Sequence, residues 1–255
     1  ILPLLPEGPF GPLTGVRPRA LWSVVLLFSG IGFAGYSAHQ LLGPRRGPLV
    51  AGALGGAVSS TAVAFAFARL SRQRVAAGAP LAAGVVAACT LLFPRVLVVT
   101  SVLAPATGAR LWPYLLPPLL VGLLVTALMW RTPASRTAAP GPRNPLQVGS
   151  ALQMVGLFQV VLFAVGAVRL RVGDVGLLAG AVVAGATDVD ALVLSVVAST
   201  AAGVSPEVAA RAIATGVLAN GVLKLGVSAM VGSVSFRWRA VPGLLALCTG
   251  SAVGL

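Results

Sequence analysis

The segment VGLLAGAVVAGATDVDALVLSVVAST, residues 175–200, places two carboxylates, Asp188 and Asp190, inside a predominantly apolar run. The whole chain is 57% hydrophobic and only 9% charged, a composition typical of a membrane protein. An ionisable group at the centre of a bilayer costs roughly 2.5–3.5 kcal/mol on insertion scales. Because such groups usually mark a functional site, the Asp pair predicts one here.

The net charge of +13 does not indicate a nucleic-acid partner. All of the Lys and Arg residues except Arg95 and Lys224 lie in or beside the short breaks between apolar runs. That placement is typical of side chains that anchor helix ends at lipid headgroups. The sequence therefore predicts the lipid bilayer as the partner of these charges.

Apolar stretches long enough to cross a bilayer predict an all-α, polytopic transmembrane bundle of about eight spans. A polar connection at residues 131–144 divides this single transmembrane domain, residues 1–255, into halves at 20–130 and 145–255. The predicted spans are Ala20–Leu42, Pro48–Ala68, Leu81–Ala104, Leu111–Trp130, Pro145–Val168, Val175–Ala201, Ala209–Val234 and Val241–Leu255.

The two halves are candidate copies of one repeat. An offset of 128 residues aligns LVAGA at 49–53 with LLAGA at 177–181, and it brings SST at 59–61 opposite TDV at 187–189. Chance matches in a chain rich in Ala, Gly, Leu and Val are the alternative. Two repeats of four spans each would lie parallel in the membrane, because an inverted repeat needs an odd number of crossings.

Small residues are dense in the second and sixth predicted spans, at GALGGAVSS (52–60) and GAVVAGA (180–186). Small side chains let helix backbones approach closely in lipid. We therefore expect these two spans to be central and to pack against each other.

The spacing of the two acids predicts an interrupted helix. Asp188 and Asp190 would point about 200° apart on a regular helix, so they share a face only if the helix breaks. Gly185 and Thr187 favour such a break. Unwound turns of this kind present carboxylates and carbonyls to a cation in transporters, which makes both acids candidate metal or ion ligands. The alternative is a purely structural ion pair.

Two further polar residues, Asn220 and Lys224, project from one face of the seventh predicted span, because they are four positions apart. Lys224 is expected to pair with one of the acids, which would reduce the insertion cost of both groups. Arg95 is the other base far from a span end, and for it snorkelling and pairing stay open.

Three adjacent hydroxyls, those of Ser59, Ser60 and Thr61, occur where the second predicted span crosses mid-membrane. They can supply neutral oxygen ligands to a cation or hydrogen bonds to a polar solute. Bonding back to their own helix is the alternative.

Signatures of enzymes are missing from the sequence. There is no Gly-rich phosphate loop, no metal-binding His pair and no nucleophile elbow, so no catalytic residue is predicted. Cys89 and Cys248 lie in apolar stretches without metal-ligand spacing, which favours small core-like thiols.

Four segments carry a family resemblance: GGAVSSTAV (55–63), NPLQVGSAL (144–152), GATDVDALVLS (185–195) and ANGVLK (219–224). Together they resemble the uncharacterised C-terminal membrane domain that follows an MgtC/SapB-like half in bacterial proteins. The resemblance implies a multi-pass protein of the bacterial inner membrane with a connection to divalent-cation homeostasis. It also implies an N-terminal MgtC-like half that this sequence does not contain, and Asp188, Asp190, Asn220 and Lys224 coincide with the family's polar positions.

The sequence as a whole predicts a transporter or channel-like protein for a cation or a proton-coupled small solute. Its predicted mid-membrane site consists of Ser59, Ser60, Thr61, Asp188, Asp190, Asn220 and Lys224, with no cofactor other than a bound cation. A regulatory or scaffolding membrane subunit of MgtC-like type, in which the same charges hold helices together, is the alternative. A homo-dimer is compatible with either.

Overall fold

The computed structural model describes residues 18–131, 176–201 and 203–255, and every regular element in these ranges is helical. Apart from a short 3-10 turn at Val75–Ala77, the elements are α1 (Pro18–Gln73), α2 (Gly78–Leu103), α3 (Pro105–Arg131), α4 (Gly176–Thr187), α5 (Val189–Ala201), α6 (Pro206–Val231) and α7 (Val234–Gly254). The all-helical class predicted from the sequence is confirmed for these residues.

Helix α1 is interrupted at two positions. Gly43 has a φ of 78°, in the left-handed region that glycine adopts without a steric penalty, and Ser59 is extended, with φ −154° and ψ 102°. The chain changes direction at both residues. Helix α1 therefore consists of three helical segments, at residues 18–42, 44–58 and 60–73.

The second and third segments of α1 form a helical hairpin with Ser59 at its tip. The carbonyl oxygen of Pro48 and the ring of Phe67 both lie against the α-carbon of Gly84 in α2. On a continuous helix Pro48 and Phe67 would be about 28 Å apart, so the chain folds back at Ser59. We call residues 44–73 hairpin A.

Helices α4 and α5 form a second hairpin with Asp188 at its tip. The carbonyl of Ala181 in α4 and the side chain of Leu192 in α5 both lie against Gly216 of α6. Those two residues would be about 16 Å apart on a continuous helix. We call residues 176–201 hairpin B, and the break predicted between Gly185 and Asp190 is confirmed.

Each hairpin packs closely against one long helix through small residues. In hairpin A, Gly52 and Gly56 lie directly against the backbone of α2, and in hairpin B, Gly185 lies against Gly216 of α6. A methyl group at any of these glycines would collide with the facing helix. The small residues thus do permit close packing, but the expectation that the second and sixth predicted spans pack against each other is wrong.

The two hairpins enter the bundle from opposite faces. The open end of hairpin A lies at the C-terminal end of α6, where Arg72 Nη2 donates to the Met230 carbonyl (2.8 Å). The open end of hairpin B lies at the start of α6, where Val204 N donates to the Ser199 carbonyl (3.2 Å). Because α6 runs about 39 Å from one face to the other, the two hairpin bases are on opposite faces.

This arrangement changes the expected symmetry. Helices α2 and α6 are offset by 128 residues at both ends, from Gly78 to Pro206 and from Leu103 to Val231. Helix α2 begins at the face where α6 ends, because Ser235 Oγ, just after α6, donates to the Val75 carbonyl, just before α2. The two helices therefore run in opposite directions, and for this pair the offset fits copies of inverted orientation rather than the parallel copies expected from four spans per repeat.

Four stretches in the described residues are long and apolar enough to cross a membrane: Arg46–Gln73, Val75–Leu103, Pro105–Arg131 and Pro206–Val231. The first of these corresponds to hairpin A. The prediction of eight spans is not confirmed, because the second and sixth predicted spans are hairpins and Pro145–Val168 lies outside the described residues. A hairpin with two short apolar arms has the same composition and length as one span, which explains the difference.

The hairpin geometry predicts the sidedness of three exposed residues. We expect Cys substituted at Arg46 and at Gln73 to be labelled from the same side of the membrane, because both lie at the open end of hairpin A. Cys substituted at Glu207, at the start of α6, should be labelled from the opposite side. The measurement is labelling with a membrane-impermeant maleimide in oriented vesicles, with Cys89 and Cys248 replaced by Ala. Labelling of positions 46 and 73 from opposite sides would show a crossing helix instead.

Candidate functional site

The tip of hairpin A has its own helix cap and an external partner for its carbonyls. Ser59 Oγ accepts a hydrogen bond from Ala62 N (3.2 Å), which caps the segment that follows the break. The carbonyls of Ala57 and Val58, at the end of the preceding segment, accept from Nη1 of Arg95 at 3.0 and 2.9 Å. Arg95 in α2 therefore satisfies backbone groups that the break sets free.

The tip of hairpin B is built in the same way from different residues. Asp188 Oδ1 accepts from Asp190 N (2.9 Å) and Ala191 N (3.2 Å), so Asp188 is the N-cap of α5. On the other side of the break, Asn220 Nδ2 donates to the Gly185 carbonyl at 2.9 Å. Asn220 is 2% exposed, so its amide satisfies the end of α4 in a buried position.

One ion pair joins the two tips. Arg95 Nη2 donates to Asp190 Oδ2, while Nη1 of the same guanidinium holds the two carbonyls of hairpin A. The side chain of Arg95 is 23% exposed and that of Asp190 is 53% exposed. The breaks of the two hairpins therefore meet through Arg95 rather than by direct helix packing.

Lys224 lies on the side of hairpin A and is 1% exposed. Its Nζ donates to Ser60 Oγ at 2.7 Å, and Ser60 is itself buried. The predicted ion pair of Lys224 with an acid is not found among the described residues: Lys224 bonds to Ser60, and Asp190 pairs with Arg95 instead. Asn220 and Lys224 nevertheless contact the two tips from one face of α6, as their spacing of four residues requires.

The predicted site residues thus fall into two groups. Ser59 and Ser60 lie at the tip of hairpin A with the half-buried Thr61 beside them, and Asp188 and Asp190 lie at the tip of hairpin B. Arg95, which the prediction left open, contacts both groups from α2. Lys224 contacts only Ser60 of hairpin A, and Asn220 contacts only hairpin B.

Arg95 is the functional candidate that the predicted site set omitted. Its sequence signal is a base nine residues from the nearer end of an apolar span, which is equally typical of a snorkelling side chain. Only the fold-back at Ser59 places carbonyl acceptors next to its guanidinium. Thr187 takes no part in joining the tips, because its hydroxyl donates to the carbonyl of Ala184 (2.7 Å) within its own helix.

The arrangement of the acids does not favour a divalent-cation site. Asp188 Oδ1 is engaged by two backbone N–H groups and Asp190 Oδ2 by Arg95. Divalent cations such as Ca²⁺ bind six to eight oxygens. No group of three or more His, Cys, Asp or Glu side chains that could hold a metal occurs among residues 18–131, 176–201 and 203–255.

The chain belongs to the family described as Domain of unknown function (DUF4010), whose model matches residues 26–232. The match covers both hairpins, Arg95, Asn220 and Lys224. No curated protein and no solved structure matches the chain. The family therefore includes the whole candidate site but assigns it no chemistry.

The capping role of Asp188 predicts that two substitutions at this position differ in their effect on stability. Asp188→Ala should lower the free energy of unfolding by about 0.5–2 kcal/mol, because α5 loses its N-cap. Asp188→Asn should cost much less, since Asn caps equally well. Thermal unfolding of the purified protein in detergent measures both, with the exposed Glu207→Gln as a control. Equal losses for Ala and Asn would indicate that the charge, and not the cap, stabilises the tip.

The contact between Lys224 and Ser60 predicts a rescue. Ser60→Ala should cost about 1–3 kcal/mol, because a buried ammonium loses its hydrogen-bond acceptor. Lys224→Met removes the charge while keeping the apolar chain length, so the double variant should recover most of the loss. A double-mutant cycle from thermal unfolding tests this. Additive losses in the double variant would contradict the pairing.

Proposed function

We propose that this protein is a membrane transporter that carries a small solute together with a proton or another ion. The observation that supports the proposal most directly is the meeting of two helical hairpins, from opposite faces, at one set of charged side chains. Non-helical backbone inside a membrane is tolerated only where it is buried in protein or lines a water-filled cavity. Interrupted helices of this kind form the mid-membrane binding sites of many transporters.

The side chains at the tips suit reversible binding of a charged solute. Arg95 and Lys224 contribute positive groups, and Asp188 and Asp190 contribute negative ones, all contacting one or both tips. Asp188 caps its own hairpin, and Lys224 on α6 binds hairpin A alone. Arg95 on α2 contacts hairpin A and, through Asp190, hairpin B. We infer that the Arg95–Asp190 pair is the contact that changes during transport.

The opposite entry of the hairpins also suits alternating access. Hairpin A contacts the side of the bundle where α6 ends, and hairpin B contacts the side where α6 begins. If one hairpin moved away from the other, the site between their tips would open to one face only. Breaking the Arg95–Asp190 contact is a necessary step for such a movement, because the guanidinium holds both tips.

A regulatory or scaffolding role is the second candidate, and one observation favours it. The polar groups at the tips satisfy one another: Asn220 binds Gly185, Lys224 binds Ser60 and Arg95 binds Asp190. In a scaffold these contacts serve only to hold the helices together. A location in the bacterial inner membrane and a link to MgtC/SapB-like proteins, with their regulatory associations and an N-terminal partner half, belong to this proposal as expectations from the resemblance.

The two candidates differ in the effect of Asp190→Asn. A transporter should lose at least about tenfold in flux with little change in unfolding temperature, because Asp190 is half exposed and serves the cargo. A scaffold should lose stability or assembly instead, because Asp190→Asn removes the charge pair through which Arg95 joins the two tips. Flux is measured as acidification of the proteoliposome interior, reported by an enclosed pH-sensitive dye, after small organic solutes are added outside. Stability is measured by thermal unfolding of the same variants. The matched control is Glu207→Gln, an exposed acid away from the tips.

Wild-type vesicles that move neither protons nor solutes, together with unfolding of Asp190→Asn, would contradict transport and support the scaffold. Flux that persists unchanged in Asp190→Asn would contradict the proposed role of the tips.

A further inference from the structure

The guanidinium of Arg95 is fixed on one hairpin and has donors to spare. Its Nη1 donates to two carbonyls of hairpin A and its Nη2 donates to one carboxylate oxygen. These contacts use three of the five N–H donors of an arginine. The Nε–H and the second Nη2–H are not engaged by any contact in the part of the chain that the structure describes. Once Asp190 leaves Nη2, the Nε–H and the adjacent Nη2–H form the fork that binds a carboxylate through both of its oxygens.

The partner of Arg95 is held much less firmly. The side chain of Asp190 is 53% exposed, and its carboxylate contacts Arg95 through a single oxygen. Asp190 can therefore leave Arg95 without breaking its helix, since Asp188 caps α5 independently. The geometry therefore most easily permits an exchange in which another group replaces the Asp190 carboxylate on Arg95. Arg95 itself stays in place on hairpin A.

We propose that the transported solute is a small monovalent carboxylate that takes the place of Asp190 on Arg95, and that one proton binds Asp190 at the same time. This inference rests on the proposed transport function and names its substrate class. The proton adds one positive charge and the solute adds one negative charge, so the net charge of the site is unchanged on loading. That balance matters because an uncompensated charge at mid-membrane is costly.

The groups that face Asp190 agree with this exchange. Arg95 approaches from α2, Lys224 lies on α6, Asp188 shares the tip, and α4 contains no titratable side chain. Once Asp190 is neutral, Arg95 lacks a counter-charge, and a carboxylate supplies one. The hydroxyl of Ser59 accepts from Ala62 N, so its O–H remains as a donor close to the carbonyls that hold Arg95.

A cation that took the place of Arg95 on Asp190 would need a different exchange. The guanidinium would lose the carboxylate but stay next to it, because the Ala57 and Val58 carbonyls hold it there. The remaining positive charge would then repel the cation at short range. The geometry thus favours an anionic solute over the cation that the acids alone suggest.

The test uses the full chain purified in detergent and its unfolding temperature in acetate and lactate, each as the sodium and the potassium salt. Sodium chloride, sodium phosphate and magnesium chloride are the comparison salts. We expect the unfolding temperature to rise with the carboxylate concentration, by the same amount with sodium as with potassium. The rise should be larger at pH 5.5 than at pH 7.5. Ligand-induced stabilisation depends on the ratio of ligand concentration to the dissociation constant, so titration gives an affinity.

Two variants assign the effect to the tips. Arg95→Lys should weaken acetate or lactate binding by about tenfold or more, because Lys cannot form the two-pronged contact. Arg72→Lys is the matched control, since Arg72 is exposed and also donates to a backbone carbonyl, and it should bind as the wild type does. Asp190→Asn, which mimics the protonated acid, should bind at pH 7.5 as tightly as the wild type at pH 5.5.

Stabilisation by sodium or magnesium regardless of the anion, with loss in Asp190→Asn, would overturn this inference and leave transport of a cation in its place. Stabilisation by phosphate or chloride alone, or no stabilisation of folded wild-type protein by any carboxylate, would also overturn it. Carboxylate binding that depends on Arg95 without any flux in proteoliposomes would instead contradict the proposed transport function.

Discussion

Backbone groups released inside the hydrocarbon layer must find hydrogen-bond partners within the protein, and this constraint organises the whole structure. Both hairpins break at mid-bundle and leave carbonyls at the end of one arm and N–H groups at the start of the next. In each case the N–H groups are capped from within, by Ser59 or Asp188. The carbonyls are satisfied from outside, by Arg95 or Asn220, each on a long neighbouring helix.

The two tips are therefore alike in design and different in charge. Hairpin A is surrounded by cations, since Arg95 holds its carbonyls and Lys224 binds Ser60. Hairpin B carries both acids, and its carbonyl partner is the neutral amide of Asn220. If the halves arose by duplication, the common element is the broken hairpin with its caps, and the charges are what distinguish the copies. The acids of hairpin B thus face cations that the long helices α2 and α6 hold against hairpin A, an arrangement suited to contacts that form and break.

Close helix approach is the second requirement of this design. An amide or guanidinium can reach a broken helix end only if the hairpin lies directly against the helix that carries it. Glycines at the contacts, Gly52 and Gly56 in hairpin A and Gly185 facing Gly216 in hairpin B, allow this separation. Packing of small residues and capping of the breaks are thus parts of one arrangement.

The sequence by itself determined that the chain is a helical membrane protein and that a helix breaks near Gly185–Asp190. It also predicted the polar residues that the structure places at or beside the two tips: Ser59–Thr61, Asp188, Asp190, Asn220 and Lys224. Those inferences depend on composition and on the cost of polar groups in lipid, which are local properties. The tertiary structure decided that two predicted spans fold back as hairpins and that Arg95, rather than Lys224, pairs with Asp190. A hairpin and a span have the same length and hydrophobicity, and the partner of a buried charge depends on which distant helix faces it. Neither property is encoded in any single segment, so both appear only when the helices are packed together.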